Sequence, residues 1–227
     1  MATSILENRL GVVFRDKTLL SQALTHRSYI NEHCGCGLKH NERLEYLGDA
    51  VLELIVSKYL FTTFPDDDEG VLTAKRSLIV GGEVAAKVAR KLGIELFLLL
   101  SKGEKKDIKS RARDVILADT FEAILGALYV DRGYTIAEEF VHRVLLSEYK
   151  GKLETIEFLS AKCRLQDVMQ KKHKVAPSYL VLAEEGPDHD KRYTLGVYFN
   201  TELLAQGTGT SKQDAETDAA RKALALF

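Results

Sequence analysis

The chain has 227 residues, of which 45% are hydrophobic, and it carries 32 Lys and Arg against 33 Asp and Glu. This length suits one large domain or two modest ones, and only three prolines argue against long disordered stretches. The net charge is −1, whereas many nucleic-acid-binding proteins have an excess of Lys and Arg. Charge alone therefore identifies no partner. Neither a run of roughly 18 apolar residues nor a signal-peptide pattern occurs, so we expect a cytoplasmic protein without a membrane span.

Helical patterns fill the first two thirds of the chain. An amphipathic segment opens with Asp16 as its predicted N-cap, and a longer helix runs from Asn41 towards Phe61. Pro65 should end that helix, and the helical pattern that follows is interrupted at Gly81–Gly82. The polar, basic stretch "GEKKDIKSRAR" predicts an exposed loop before the next helix.

A glycine-rich segment, "HCGCGLKH", separates the first two of these helices and has the residue types of a metal site. Its candidate ligands are His33, Cys34, Cys36 and His40. Two cysteines one residue apart are tight for a structural zinc pair, so a loop with reduced thiols is the competing interpretation. The sequence leaves both open, while an odd total of three cysteines argues against a secreted disulfide scaffold.

The segment "NERLEYLGDAVLELI" places three acids on one side of a helix. At about 100° per residue, Glu42, Glu45 and Asp49 fall within an arc of about 60°. Leu52 and Val56 continue the same stripe, so this acidic face should be partly enclosed instead of fully solvated.

The later segment "ILADTFEAILGALYVDRG" repeats that arrangement on a second helix. Asp119 and Glu122 are three residues apart and therefore neighbours on one face, which Gly126 shares. The rest of the helix is apolar nearly all round, which predicts burial. Buried carboxylates are costly unless they are paired or bind a metal.

If the two helices pack side by side, four carboxylates converge. An all-oxygen cluster suits Mg²⁺ or Mn²⁺, and such ions can activate water for phosphodiester cleavage. The competing interpretation is a set of structural ion pairs, of Glu42 with Lys39 or Arg43, and of Asp119 with Arg111 or Arg113. Spacing alone does not decide between them. The four candidate ligands are Glu45, Asp49, Asp119 and Glu122.

The pattern of the sequence changes between about residues 149 and 158, after the purely helical part. A helical segment, three strand-like segments and a closing helix follow, with clear alternation in "RYTLGVYF" and Ser211 as the last N-cap. The predicted fold class is therefore mostly α, with an all-helical domain followed by a small α-β-β-β-α domain.

At these motifs the chain resembles a known family. "HNERLEYLGDAVLELI" closely resembles the signature of bacterial ribonuclease III, and the segment at residues 116–133 resembles that family's second acidic motif. "GPDHDKRYTLGVYF" and "GTGTSKQDAE" resemble its double-stranded RNA-binding domain. The resemblance implies an endonuclease domain at residues 1–150 and an RNA-binding domain at residues 158–227.

The resemblance also implies roles for individual residues. The four acids would bind Mg²⁺, for which Mn²⁺ should substitute, and Asp49 and Glu122 would matter most for hydrolysis. Glu42 and Glu69 match supporting acids, and Tyr46 matches an aromatic residue that inserts into a partner subunit. A homodimer would then cut both strands of double-stranded RNA, leaving 5′-phosphates and two-nucleotide 3′ overhangs, in precursors of ribosomal RNA and in structured messenger RNA.

The RNA-binding domain would recognise the shape of the duplex, because the major groove of double-stranded RNA is too deep and narrow to read. Its five matching residues are Gln166, Pro187, His189, Ser211 and Lys212. Residues 156–227 carry 10 Lys and Arg against 10 Asp and Glu, so binding should depend on local placement and fall with salt.

Two departures from the family pattern limit these expectations. The loop "DIKSRARDVILAD" lacks the glycine pair common there, and Gln213 stands where a second lysine is usual, which should weaken phosphate binding. A competing hypothesis is a binding protein that kept the fold and lost catalysis, but such relatives usually lose one of the four acids. We expect no membrane partner and no small-molecule substrate.

Overall fold

A computed structural model describes residues 2–33, 35, 37–106, 110–153, 161–187 and 191–227. The chain divides into two compact units, one formed by residues 1–66 and 76–150 and the other by residues 67–75 and 151–227. Among the described residues, no helix is both long and apolar enough to cross a membrane.

Helices make up the described part of the chain up to residue 153. Their bounds are α1 (Ala2–Leu10), α2 (Lys17–Ala23), α3 (Arg27–Glu32), α4 (Glu42–Thr63), α5 (Glu69–Ile79), α6 (Gly82–Lys91), α7 (Lys102–Lys106), α8 (Arg111–Arg132), α9 (Tyr134–Val141) and α10 (Ser147–Leu153). A 3₁₀ turn at Ile94–Phe97 precedes α7, and a π-helical turn at His142–Leu146 joins α9 to α10.

Local sequence signals explain where several of these helices begin and end. Asp16 caps α2, since its side chain accepts a hydrogen bond from the N–H of Thr18 at 2.8 Å, as predicted. Ser110 caps α8 in the same way through the N–H of Arg113, at 3.1 Å. Gly133 ends α8 with a φ of 81°, a conformation that favours glycine.

The core of the helical unit lies between α4 and α8. Helix α8 is buried along most of its length, which confirms the expectation drawn from its nearly continuous apolar surface. Helix α4 buries one stripe, which includes Leu52 and Val56 beyond the acidic face, as predicted. The fully buried residues of α8 include Leu117, Phe121, Ala123, Ile124, Leu125, Ala127 and Leu128.

The second unit contains a three-stranded antiparallel sheet in the order β1-β2-β3, and the predicted α-β-β-β-α order is confirmed. Its elements are α11 (Ala161–His173), β1 (Ser178–Glu185), β2 (Arg192–Phe199), β3 (Glu202–Gly209) and α12 (Lys212–Leu224). Both helices bury apolar side chains against one face of the sheet. The cluster comprises Leu165, Met169, Val197, Ala219, Ala220 and Ala223.

One expectation is wrong, and others fall where the structure gives no description. The basic stretch predicted as loop begins with the short helix α7, because Ser101 accepts a hydrogen bond from the N–H of Glu104, 3.2 Å away. Residues 107–109 of that stretch lie outside the described residues. So do Cys34, Cys36 and His189, together with residues 154–160 at the predicted domain boundary.

Candidate active site

Two glycines let α4 and α8 approach each other closely. A Cβ atom added at Gly48 would fall on the carbonyl oxygen of Glu122, and one added at Gly126 would fall on that of Leu44. Any larger side chain at either position would force the helix backbones apart. In each helix the acidic residues lie close in sequence to the glycine at the crossing. The crossing therefore brings the two acidic faces together.

The predicted ligands interact electrostatically across that crossing. Glu45 and Asp49 come from α4, and the negative charges of both act on Glu122 of α8. Asp119 acts on Glu122 as well as on Glu45. Glu45, Asp119 and Glu122 are half-buried, whereas Asp49 is exposed. The structure therefore gathers all four acids in one region of the helical unit.

Burial and crowding make these carboxyl groups hard to ionise. Burial, reinforced by Asp49, Asp119 and Glu45, raises the pKa of Glu122 to about 8. The pKa of Glu45 is raised by burial and then by the charges of Asp119 and Glu42. Burial also raises the pKa of Asp119. Carboxyl groups with raised pKa values in a cleft are typical of functional sites.

A cleft of about 630 Å³ opens beside these acids. Its lining combines several carboxylates with two basic residues at the start of α3, namely His26 and Arg27. The ten lining residues are His26, Arg27, Asn41, Glu42, Glu45, Glu104, Ala112, Val115, Ile116 and Asp119. Glu42, Glu45 and Asp119 are predicted from the sequence, whereas the charged residues His26, Arg27 and Glu104 are not.

Hydrogen bonds fix His26 beside the cleft. Its Nδ1 accepts a bond from the backbone N–H of Ser28 at 3.3 Å and lies 2.8 Å from the Ser28 hydroxyl. That hydroxyl accepts a bond from the N–H of Ser101 at 3.1 Å, and the N–H of Lys102 donates to Glu32 at 3.0 Å. Burial lowers the pKa of His26. No spacing in the sequence links α3 to the residues before α7, so this arrangement could not be anticipated.

The structural ion pairs considered from the sequence are formed with other partners. Glu42 lies 3.4 Å from the guanidinium of Arg27 and 3.7 Å from His40, instead of pairing with Lys39 or Arg43. Arg113 bonds Glu95 at 2.9 Å and leaves Asp119 to other neighbours. The ion-pair interpretation is thus wrong about these partners.

The donor set fits a hard divalent cation better than a structural ion pair. All four groups offer carboxylate oxygens, the ligands that Mg²⁺ prefers. Within the described part of the chain, however, no three His, Cys, Asp or Glu side chains are already close enough to hold a metal.

Two further residues predicted to have a role, Tyr46 and Glu69, are not among the lining residues of the cleft. Tyr46 is 82% exposed on α4, which is unusual for so large an aromatic side chain. Glu69 is exposed in the first turn of α5, where its carboxylate accepts a hydrogen bond from Thr73 at 3.3 Å. The roles assigned to both stay predictions.

Four of the five candidate RNA-binding residues are described, and they are exposed on the second unit. Gln166 on α11 and Pro187 after β1 are both exposed. Ser211 caps α12, because its hydroxyl accepts a bond from the N–H of Asp214 at 3.1 Å. Lys212 is held by Glu184, 2.9 Å away, and its ammonium lies 5.5 Å from the ring of Tyr193. His189 lies outside the described residues.

The possible zinc ligands are only half described. The Nδ1 of His33 lies 2.9 Å from the carbonyl oxygen of Tyr29, and the two rings stack at 4.1 Å. His40 lies beside Glu42, as noted above. Because Cys34 and Cys36 lie outside the described residues, the choice between a zinc site and a thiol loop stays open.

Two family models match separate parts of the chain. The model described as Ribonuclease-III-like matches residues 16–149, which include the acidic cleft. The model described as Double-stranded RNA binding motif matches residues 161–226, which include the sheet and its two helices.

Curated relatives are similar along nearly the whole chain. Ribonuclease 3 of Enterococcus faecalis is 46% identical over 222 residues, which cover 98% of this chain and 96% of that protein. Ribonuclease 3 of Pelotomaculum thermopropionicum is 44% identical over 225 residues, covering 97% and 91%. A solved nuclease domain of ribonuclease III from Campylobacter jejuni is 37% identical, with a TM-score of 0.57, and covers 64% of this chain and 97% of that one.

Proposed function

Because the chain belongs to the ribonuclease III family, whose members cut double-stranded RNA, we propose that it does so with Mg²⁺ held by the acids at the α4–α8 crossing. The single observation that supports this most is the close approach of α4 and α8 at Gly48 and Gly126, beside which the four acids lie in the sequence. Residues 1–150 would form the nuclease domain, and residues 158–227 would form the RNA-binding domain.

Glu45, Asp49, Asp119 and Glu122 would hold the Mg²⁺, and Mn²⁺ should substitute. When bound, the ion would acidify a water molecule and stabilise the leaving oxygen of the phosphodiester. Glu122, with a pKa of about 8, retains its proton at neutral pH in the metal-free protein and must lose it to serve as a ligand. Asp49 and Glu122 would be the acids on which hydrolysis depends most.

The other polar groups of the cleft would position the RNA strand and shape the field around it. Glu42, which lines the cleft, would be a supporting acid, and the resemblance assigns the same role to Glu69. His26, uncharged at neutral pH because burial lowers its pKa, offers a hydrogen-bonding ring without adding positive charge. The half-buried Glu104 adds a further carboxylate to the cleft lining.

A homodimer would place two such sites opposite a two-fold symmetric duplex, one for each strand. The exposed ring of Tyr46 supports this arrangement, because burying it against a second copy would remove a large apolar surface from water. The nuclease domain of Campylobacter jejuni ribonuclease III has structural flexibility in a region that is involved in its own dimer formation. Staggered cuts would leave 5′-phosphates and two-nucleotide 3′ overhangs.

The C-terminal domain would hold the duplex by its shape. Gln166 and Pro187 would approach minor grooves, and Ser211 and Lys212 would approach the phosphates between them. His189 is assigned to a minor groove by the resemblance alone. The substrates we propose are precursors of ribosomal RNA and structured messenger RNA in the cytoplasm, with no membrane partner and no small-molecule substrate.

A defined hairpin RNA tests the proposal. The chain with Mg²⁺ should cut both strands and leave the ends named above, and chelation of the metal should stop cleavage. The Glu122→Gln variant should bind the hairpin with unchanged affinity yet leave it uncut. Full cleavage by that variant would contradict the assignment, and binding without product by the unsubstituted chain would favour the hypothesis of lost catalysis.

A further inference from the structure

Charge is unevenly distributed in the lining of the acidic cleft. Four of the lining residues carry carboxylates, whereas one lining residue, Arg27, carries a guanidinium. The neighbouring His26 does not offset the acids at neutral pH, because burial lowers its pKa. An RNA strand entering the cleft would add phosphate charges to a surface that is already negative.

Arg27 acts on one side of the acid cluster. Its guanidinium lies 3.4 Å from Glu42, and Arg27 lines the cleft together with Glu45 and Asp119. Glu122 is not among the lining residues of this cleft in the part of the chain that the structure describes. Arg27 is therefore the local countercharge of the Glu45–Asp119 side.

The contact between Arg27 and Glu42 does not fix the arginine in place. The Arg27 side chain is 69% exposed, and an ion pair as exposed as this contributes little to stability. The guanidinium can thus leave Glu42 at small cost. Its planar array of donors matches a phosphate, to which it can bind through two hydrogen bonds at once.

We propose that Arg27 is a phosphate-binding residue of the cleft, which neutralises the Glu45–Asp119 side in the free protein and turns to a backbone phosphate when RNA is bound. This inference deepens the proposed function and rests on it. Arg27 and a divalent cation would then compete for the same carboxylates in the absence of RNA, whereas they would act together on the RNA strand.

This double role gives Arg27→Gln an unusual expected phenotype. Without RNA, removal of a nearby positive charge should tighten Mn²⁺ binding about threefold to tenfold, as measured by calorimetry on the full chain. With saturating Mg²⁺ and hairpin RNA, the single-turnover cleavage rate should fall by roughly 10- to 100-fold. Arg27→Lys should keep the metal affinity of the unsubstituted chain but recover only part of the rate, because lysine lacks the planar fork.

Arg15→Gln is the matched control, since Arg15 is exposed and does not line the cleft. It removes the same charge and should change neither Mn²⁺ affinity nor cleavage. Thermal unfolding of Arg27→Gln should match that of the unsubstituted chain. Unchanged or weaker Mn²⁺ binding by Arg27→Gln, or an unchanged cleavage rate, would overturn the inference. Absence of Mn²⁺ binding by the unsubstituted chain would instead contradict the proposed function.

Discussion

Gly48 and Gly126 face each other's helix at the α4–α8 crossing, where neither position has room for a Cβ atom. Each glycine is next to acids on its own helix, since Asp49 follows Gly48 directly and Glu122 lies one turn before Gly126. The distance between the two helices therefore also sets the distance between the two acidic faces. Packing and the candidate chemistry depend on the same pair of residues.

Gly126→Ala should damage both stability and activity. The added methyl group would overlap the carbonyl oxygen of Leu44, so the helices must shift apart. We expect a loss of about 1–3 kcal/mol in the free energy of unfolding, which is typical of overpacked cores. Urea denaturation measures this loss, and Mn²⁺ affinity should fall in the same variant because the acids separate.

Gly82→Ala provides the comparison, because a Cβ atom there would lie 3.9 Å from its nearest neighbour, Ala118. That substitution should leave stability within about 0.5 kcal/mol of the unsubstituted chain. Equal effects of the two substitutions would show that the crossing does not depend on the absence of a side chain at residue 126.

Glu122→Gln should stabilise the metal-free protein at alkaline pH. The folded-state pKa of about 8 exceeds the ordinary value of 4.5, so the folded protein resists ionisation that the unfolded chain accepts. The contribution of Glu122 to the free energy of unfolding is therefore fully present below about pH 4.5 and declines as the pH rises towards 8. Above pH 8 it stays at this reduced level. Glutamine removes this loss, which for pKa values of 4.5 and about 8 is on the order of 5 kcal/mol at roughly pH 8.5.

Urea denaturation in the presence of a chelator, at about pH 5 and about pH 8.5, measures the effect, and the gain should shrink at the lower pH. Glu138→Gln is a control of opposite sign, because a hydrogen bond from Lys58 lowers the pKa of Glu138. Its carboxylate favours folding above its ordinary pKa, so this variant should gain nothing at alkaline pH. A pH-independent effect of Glu122→Gln would refute the electrostatic explanation.

The sequence predicts the acid pairs because helical periodicity places Glu45 near Asp49 and Asp119 near Glu122 without tertiary information. It does not predict the charged residues that face them. His26 and Arg27 line the cleft from a separate helix. Glu104 lines it from a segment for which the sequence predicts an exposed loop. Such neighbours depend on how elements pack, which no local pattern encodes.

The small C-terminal fold is predicted well for the same reason. The strand predicted at "RYTLGVYF" and the cap at Ser211 follow from local signals, and both are confirmed, although burial along the strand does not alternate. Lys212 pairs with Glu184, which lies on another element and is distant in sequence, so no local signal predicts this contact. The sequence therefore predicts that Lys212 lies at a helix start, but it does not predict the acid that pairs with it.

Tyr46→Ala should weaken self-association. A ring that is 82% exposed contributes little to the fold of one copy, so its loss should leave the unfolding midpoint nearly unchanged. If it inserts into a second copy, its removal should raise the dimer dissociation constant by roughly 10- to 100-fold, as measured by analytical ultracentrifugation. Leu96→Ala removes another side chain that is 74% exposed and should not alter association. Equal dissociation constants for both variants would leave Tyr46 without its assigned role.

Glu184→Gln should strengthen binding of duplex RNA. Lys212 is held by Glu184 at 2.9 Å, so its ammonium must leave that carboxylate to reach a phosphate. Removing the carboxylate charge eliminates this competition and one source of repulsion for RNA, and we expect affinity to rise about twofold to fivefold. Lys212→Gln should weaken binding and reduce the slope of log affinity against log salt by about one.

The double variant separates competition from a general charge effect. If Glu184 acts by holding Lys212, then Glu184→Gln should bring little gain when Lys212 is already glutamine. Lys222→Gln serves as control, because Lys222 lies near the other end of α12 and pairs with Asp218. It should change the salt slope less than Lys212→Gln does. Additive effects in the double variant would mean that Glu184 repels RNA independently of the lysine beside it.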